Sequence, residues 1–290
     1  MWQLPKQAEI VDVAPRDGLQ NIAAEIPTEQ KIELINALVE TGIPRIEATS
    51  FSHPKWVPQL RDAERVLEEI DRSRGTRFMV LIPNRRGYER AHRCAGLIDE
   101  VSVVVSATET MNRKNVNASI AESMQEFAWV AEQAKKSGLR VRGSIAVAFV
   151  CPYEGPTSPE RSLGLAREFF AMEVDEVLFA DTIGRANPPQ VYNLLRRARE
   201  EWPEKPLAVH FHDTFHMALA NSIAALQAGV AIFDASVGGL GGCPFTPQGA
   251  GNVATERLLF MLQEMGIETG VNYDRLLQVA ALAESFKGSP

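Results

Sequence analysis

Two histidines alternate along Leu207-Ala-Val-His210-Phe-His212-Asp213. Such a run reads as a strand, and side chains at i and i+2 of a strand leave on one face. His210 and His212 therefore point the same way, within reach of one ion. The chain has only five histidines, so this pairing is informative. Asp17 offers the same ion a carboxylate, and Asn252 a carbonyl oxygen from beyond the loop Gly238-Gly-Leu-Gly-Gly-Cys243-Pro. Two imidazoles with oxygen ligands and open positions suit a six-coordinate Mg²⁺ or Mn²⁺. A closed tetrahedral zinc site prefers thiolates, although Co²⁺ or Zn²⁺ can substitute. Asp213 is left outside the ligand set, as a supporting or helix-capping group.

Other reactive residues fall near this set. Arg16, beside Asp17, suits the stabilisation of a developing oxyanion. Glu47 and Asp181 sit on apolar runs and need partners, because an unpaired buried carboxylate is costly. Arg16 is one such partner. Cysteine is usually a small buried hydrophobe. The four glycines before Cys243 leave little to bury it against, so an acid or base on a mobile loop is expected there.

The elements that must position these groups alternate regularly. Apolar, β-branched runs occupy Glu9–Ala14, Arg45–Phe51, Phe78–Ile82, Glu100–Ser106, Arg140–Ala148, Glu176–Ala180, Leu207–His212 and Ile232–Val237. Several are nearly continuous, as in Val101-Ser-Val-Val-Val105, the pattern of parallel strands covered on both faces. Amphipathic segments lie between them, opened by Pro27-Thr28-Glu29, Ser119, Ser158-Pro159-Glu160, Pro188-Pro189 and Thr255-Glu256. Eight strand–helix units predict a (β/α)₈ TIM barrel, whose sites gather at the C-terminal strand ends. An open doubly wound sheet is disfavoured because no Gly-x-Gly-x-x-Gly turn follows the first strand. Asn272–Phe286 is expected as an extra C-terminal helix outside the barrel, and residues 1–290 as a single catalytic domain.

Composition excludes some partners. The chain of 290 residues is 45% hydrophobic with a net charge of −7 and no basic stretch. That argues against nucleic acid and anionic membranes. The start Met1-Trp-Gln-Leu-Pro-Lys6 lacks an apolar signal core, and no apolar run reaches about 18 residues. Three widely spaced cysteines, Cys94, Cys151 and Cys243, fit free thiols in a reducing compartment. A cytoplasmic protein is expected, and a homodimer as the default assembly.

The motifs taken together resemble the 3-hydroxy-3-methylglutaryl-CoA lyase family. It is one of the TIM-barrel metallolyases, a group that also includes isopropylmalate and homocitrate synthases. The resemblance runs from about Val11 to about Leu277. It is carried by Pro15-Arg-Asp-Gly-Leu-Gln-Asn21, Ile46-Glu-Ala-Thr-Ser-Phe51, Pro54-Lys-Trp-Val-Pro-Gln59, Cys151-Pro-Tyr-Glu-Gly155 and Asp181-Thr-Ile-Gly184. His210-Phe-His-Asp-Thr214, Gly238-Gly-Leu-Gly-Gly-Cys-Pro244 and Gly251-Asn-Val-Ala-Thr-Glu256 complete it. The thiol loop distinguishes the lyases from the synthases.

The resemblance implies that Asp17, His210, His212 and Asn252 bind the divalent cation. It implies that Arg16 stabilises an acetyl-CoA enolate, that Cys243 transfers a proton, and that Glu47 and Asp181 support the site. Arg16, Gln20 and Ser50 would contact an acyl-CoA substrate, with His210 or Asp17 as the base. The implied reaction is retro-Claisen cleavage of 3-hydroxy-3-methylglutaryl-CoA to acetoacetate and acetyl-CoA, as in leucine degradation.

Some positions depart from the family pattern. They are Ala23, Thr108, Val147-Ala-Phe-Val-Cys151, Phe215-His216 and Phe245-Thr-Pro-Gln-Gly-Ala-Gly251. They leave room for a sister lyase acting on another branched hydroxyacyl-CoA, such as citramalyl-CoA or isohexenylglutaryl-CoA. A Claisen-type synthase and a non-catalytic binding barrel are the remaining alternatives.

Overall fold

The computed structural model describes residues 4–22, 24–242 and 251–286; Ala23 and Cys243 lie outside the described residues. Ten strands are present among them. They are β1 (Glu9–Asp12), β2 (Arg45–Ser50), β3 (Arg77–Leu81), β4 (Glu100–Ser106), β5 (Arg140–Ala146), β6 (Val150–Cys151), β7 (Gly155–Pro156), β8 (Glu176–Asp181), β9 (Leu207–Phe211) and β10 (Ile232–Ala235). Eight of them close into a parallel barrel in the order β1-β10-β9-β8-β5-β4-β3-β2, while β6 and β7 form a separate antiparallel ribbon. The helices are α1 (Thr28–Glu40), α2 (Ala63–Glu69), α3 (Arg85–Ala91), α4 (Glu109–Val116), α5 (Ile120–Lys136), α6 (Pro159–Ala171), α7 (Pro188–Glu201), α8 (Ala218–Gln227), α9 (Thr255–Glu264) and α10 (Tyr273–Ser285). This is the (β/α)₈ TIM barrel expected, with α10 as the additional helix.

All eight expected barrel strands are present. The differences lie at their ends. β1 stops at Asp12 because the chain then coils into a π-helical turn, Ala14–Gly18, with the Asp17 and Gly18 amides both donating to the Val13 carbonyl. Such wide turns recur at functional sites. β5 stops at Ala146 because buried Val147 adopts left-handed backbone, φ +48°. That conformation is costly for a β-branched residue. Two hydroxyls hold it, Thr182 accepting from its amide and Thr157 donating to its carbonyl.

Helix starts follow local chemistry. Ser119 and Glu122 form a capping box on α5, and Asn187 and Gln190 form another on α7, which opens with Pro188. Each such cap satisfies amides that the helix leaves unpaired. Helix α10 docks against the turn after β10. A Cβ on Gly238, which has φ +67°, would lie 3.1 Å from the Ala283 Cβ.

The outward strand faces pack beneath the helices. Phe78, Val101, Val141, Phe179, Val209 and Phe233 join one core cluster with residues such as Leu34, Phe127, Phe169 and Leu258. The lumen differs. Beside small apolar plugs around Ile232, it holds buried Arg45, Glu47, Glu100, Arg142, Glu176, His210 and Asp234. Arg45 on β2 reaches Glu176 on β8, and Arg142 on β5 reaches Asp234 on β10, at 3.0 and 2.7 Å. Neither pair joins neighbouring strands, so the bonds cross the barrel.

Gly143 in β5 lets the Phe169 ring of α6 lie directly against the barrel. A Cβ there would stand 2.5 Å from the Phe169 ring, whereas a Cβ on Gly164 in α6 meets open space. Gly143→Ala should lower stability by about 1–3 kcal/mol. Gly164→Ala should raise it by about 1 kcal/mol. Thermal melting should show shifts of opposite sign, each of a few degrees.

Candidate active site and metal centre

The C-terminal rim is assembled by barrel closure. β1 pairs with β10, and β10 with β9, so the turn after β1 lies near the ends of both. The π-helical turn lifts Arg16 and Asp17 onto this rim. The chain after the glycine loop returns between β9 and β10. The Val253 amide donates to the Phe211 carbonyl, the Ser236 amide donates to the Val253 carbonyl, and Asn252 bridges His212. His212 therefore leaves β9 one residue earlier than expected and pairs with the returning segment instead.

One ligand atom each from Asp17, His210 and His212 lies within 4.8 Å of the other two. The imidazole centroids are 5.2 Å apart, so the alternation along β9 does put both rings on one face. Asn252 Nδ2 donates to Asp17 Oδ2 at 2.8 Å and to the Leu240 carbonyl at 3.1 Å. Its Oδ1 is left over. Asn252 Oδ1 and His212 Nδ1 are both buried without a hydrogen-bond partner among the described residues. A buried polar atom left unpaired costs about 1–3 kcal/mol. A cation between these four side chains removes that cost, and the donor set of two imidazoles, a carboxylate and an amide oxygen fits a divalent ion.

The electrostatics favour the same occupant. Burial opposes ionisation of Asp17, but Arg16, His210 and His212 outweigh it and hold the carboxyl well below the usual range. Burial, aided by neighbouring His210, pushes His212 down to about 4, so its ring is neutral near pH 7 with a lone pair to offer. Burial also opposes charge on His210, yet a hydrogen bond to Asp234 and the nearby Asp17 carboxylate raise its pKa. The buried lumen network sets the carboxylates of Asp17, Glu47, Glu100, Glu176 and Asp234 against three guanidiniums, those of Arg16, Arg45 and Arg142. The excess is negative, which draws a cation inward.

A family model described as HMGL-like matches residues 7–283. The chain belongs to the HMGL-like family. It is 46% identical over 286 residues to hydroxymethylglutaryl-CoA lyase YngG of Bacillus subtilis, covering 99% of this chain and 95% of that protein. The crystal structure of the Bacillus subtilis HMG-CoA lyase superposes with a TM-score of 0.95 at 45% identity, covering 99% and 96% of the two chains. An HMG-CoA lyase from Acinetobacter baumannii, solved in complex with coenzyme A and 3-methylmalate, superposes at 0.92 with 37% identity, covering 99% and 93%.

In this HMGL-like chain the expected site residues separate into two groups. Arg16 joins the cluster, its guanidinium 2.5 Å from Glu47 and 2.7 Å from Asp17. Burial pushes the Glu47 pKa up, and Arg16 offsets this in part. The Asp181 carboxylate instead accepts from the Arg185 and Ala186 amides, shaping the turn after β8, and burial raises it to about 6. The Ser50 hydroxyl pairs with Ser52 at 2.8 Å, and Gln20 is half-buried one turn beyond Asp17. Asp213 receives the Ala218 amide and so caps α8.

Sequence reasoning missed two residues. Asp234, a lone carboxylate in Ile232-Phe-Asp-Ala235, faces His210 Nδ1 at 3.4 Å, and Arg142 grips it. The available signal was a charge on the inward register of an otherwise apolar strand. The HMGL-like domain carries no helix long and apolar enough to cross a membrane among the described residues.

Added Mn²⁺ or Mg²⁺ should raise the melting temperature, because an ion bound only by the folded state contributes about 2.7 kcal/mol at 100 times its Kd. His212→Ala should lose most of that shift in the same melting assay.

Proposed function

We propose that this chain cleaves 3-hydroxy-3-methylglutaryl-CoA into acetoacetate and acetyl-CoA with the help of a divalent cation, Mg²⁺ or Mn²⁺. The convergence of Asp17, His210, His212 and Asn252, two of them with orphaned buried ligand atoms, carries this reading. These four side chains would hold the cation. When bound there, it polarises the substrate's 3-hydroxyl and lowers its pKa.

The chain's own groups perform the rest. Asp17 takes the proton from the 3-hydroxyl. The C2–C3 bond breaks, C3 becomes the ketone carbon of acetoacetate, and the electron pair passes to the thioester as an enolate. Arg16, held by Glu47 and Asp17, presents a fixed positive charge to that enolate. The Cys243 thiol protonates C2 to release acetyl-CoA. Glu47 acts by positioning Arg16, and Asp181 by shaping the neighbouring turn. Gln20 and Ser50 contact the acyl-CoA. The protein works as a single catalytic domain, assembles as a homodimer and operates in the cytoplasm, where Cys94 and Cys151 stay reduced as the free thiols seen here.

Incubation with 3-hydroxy-3-methylglutaryl-CoA, Mg²⁺ and a thiol reductant should release acetyl-CoA, and EDTA should stop it. Asp17→Asn and Cys243→Ser should each lower kcat/KM by about 100-fold or more. Turnover of a different branched hydroxyacyl-CoA alone would reassign the acyl group. Consumption of acetyl-CoA with an α-keto acid, undiminished in Cys243→Ser, would make the protein a synthase.

A further inference from the structure

The two histidines of the centre are held differently. His212 Nδ1 has no partner among the described residues, while His210 Nδ1 lies 3.4 Å from Asp234 Oδ2. The other Asp234 oxygen, Oδ1, accepts from Arg142 Nη1 at 2.7 Å, and Arg142 Nε donates to Glu176 at 2.5 Å. Arg142 and Glu176 are each no more than 1% exposed, and Asp234 is 6% exposed. The chain Glu176–Arg142–Asp234–His210 thus runs from the start of β8 through β5 and β10 to β9, inside the lumen.

We propose that Asp234 is a positioning residue for the metal centre: it accepts the His210 Nδ1–H, and Arg142 fixes Asp234 in turn. A carboxylate facing one ring nitrogen sets the imidazole tautomer and orientation. It leaves Nε2 unprotonated and aimed at the cation. Groups that orient a ligating histidine in this way typically alter metal affinity 10–100-fold when removed. The arginine matters because a carboxylate gripped at one oxygen cannot swing its other oxygen away from the ring. This inference rests on the reading of Asp17, His210, His212 and Asn252 as cation ligands.

Mn²⁺ binding to the full-length protein, measured by titration calorimetry and by the loss of the free-ion paramagnetic resonance signal, tests it without recourse to activity. Asp234→Asn should weaken Mn²⁺ binding by about 10–100-fold. Glu100→Gln removes the same charge from the same network without touching Asp234 or His210, and should weaken binding by about threefold or less. Arg142→Lys keeps the charge but loses the fork that spans Glu176 and Asp234. It should weaken binding in the same direction as Asp234→Asn, and it serves if that variant does not fold. Affinity unchanged in the folded variants, or lowered equally by Glu100→Gln, overturns the positioning role while leaving the metal centre standing. Failure of the unaltered protein to bind Mn²⁺ overturns the metal centre itself, and this inference with it.

Discussion

Arg45 and Arg142 span a barrel interior that hydrophobic side chains usually fill. Each guanidinium is 1% exposed and is met by carboxylates of other strands, Arg45 by Glu176 and Arg142 by Asp234 across the ring and Arg142 also by Glu176 on the neighbouring β8. A buried charge without a partner costs several kcal/mol, so neither arginine tolerates a barrel that fails to close in this register. The same pairs need not add net stability over a well-packed apolar lumen. What they add is order: each fixes the position of strands that share no ladder. They also bring a polar environment up to the rim, where Glu47, Arg16 and Asp17 continue it.

Closure then determines the chemistry. Asp17 stands on the turn after the first barrel strand and Asn252 beyond the last, yet their side chains are 2.8 Å apart. The seam is stitched from several directions. Asp12 accepts from the Ala14 and Val237 amides and from the Thr255 hydroxyl, tying the turn after β1 to both ends of the glycine-loop region. Asn21 reaches the Gly242 carbonyl at 2.7 Å. The polar rim groups thus rest on rigid elements, while the intervening loop is anchored at its roots. Retro-Claisen chemistry suits that division, since charge must be held in place while protons enter and leave.

Much of this was legible in the chain. The barrel strands could be read because burial on both faces turns each into an apolar run, and His210 with His212 because a strand's period is two residues. Strand ends were less legible. The π-helical turn at Ala14–Gly18 is built on two amides sharing the Val13 carbonyl, a wide turn that no residue pattern announces, and the left-handed Val147 depends on hydrogen bonds to Thr157 and Thr182. Asp181 could be recognised as buried, but not as the acceptor for two amides of its own turn. Asp234 and Arg142 were illegible for a deeper reason. Their partners sit 24 and 34 residues away on the adjacent barrel strands, and no local spacing encodes which residues of two strands fall side by side. Cys243 was legible only as a thiol among glycines and lies outside the described residues.

The central claim is that the charged lumen culminates in one divalent cation held by Asp17, His210, His212 and Asn252. Anomalous diffraction from crystals grown with Mn²⁺ tests it most directly. The account predicts one strong peak at the barrel rim, about 2.0–2.3 Å from an oxygen or nitrogen of each of the four side chains. An anomalous map with no peak there, or with the ion bound elsewhere while His212 Nδ1 and Asn252 Oδ1 contact only water, would contradict it.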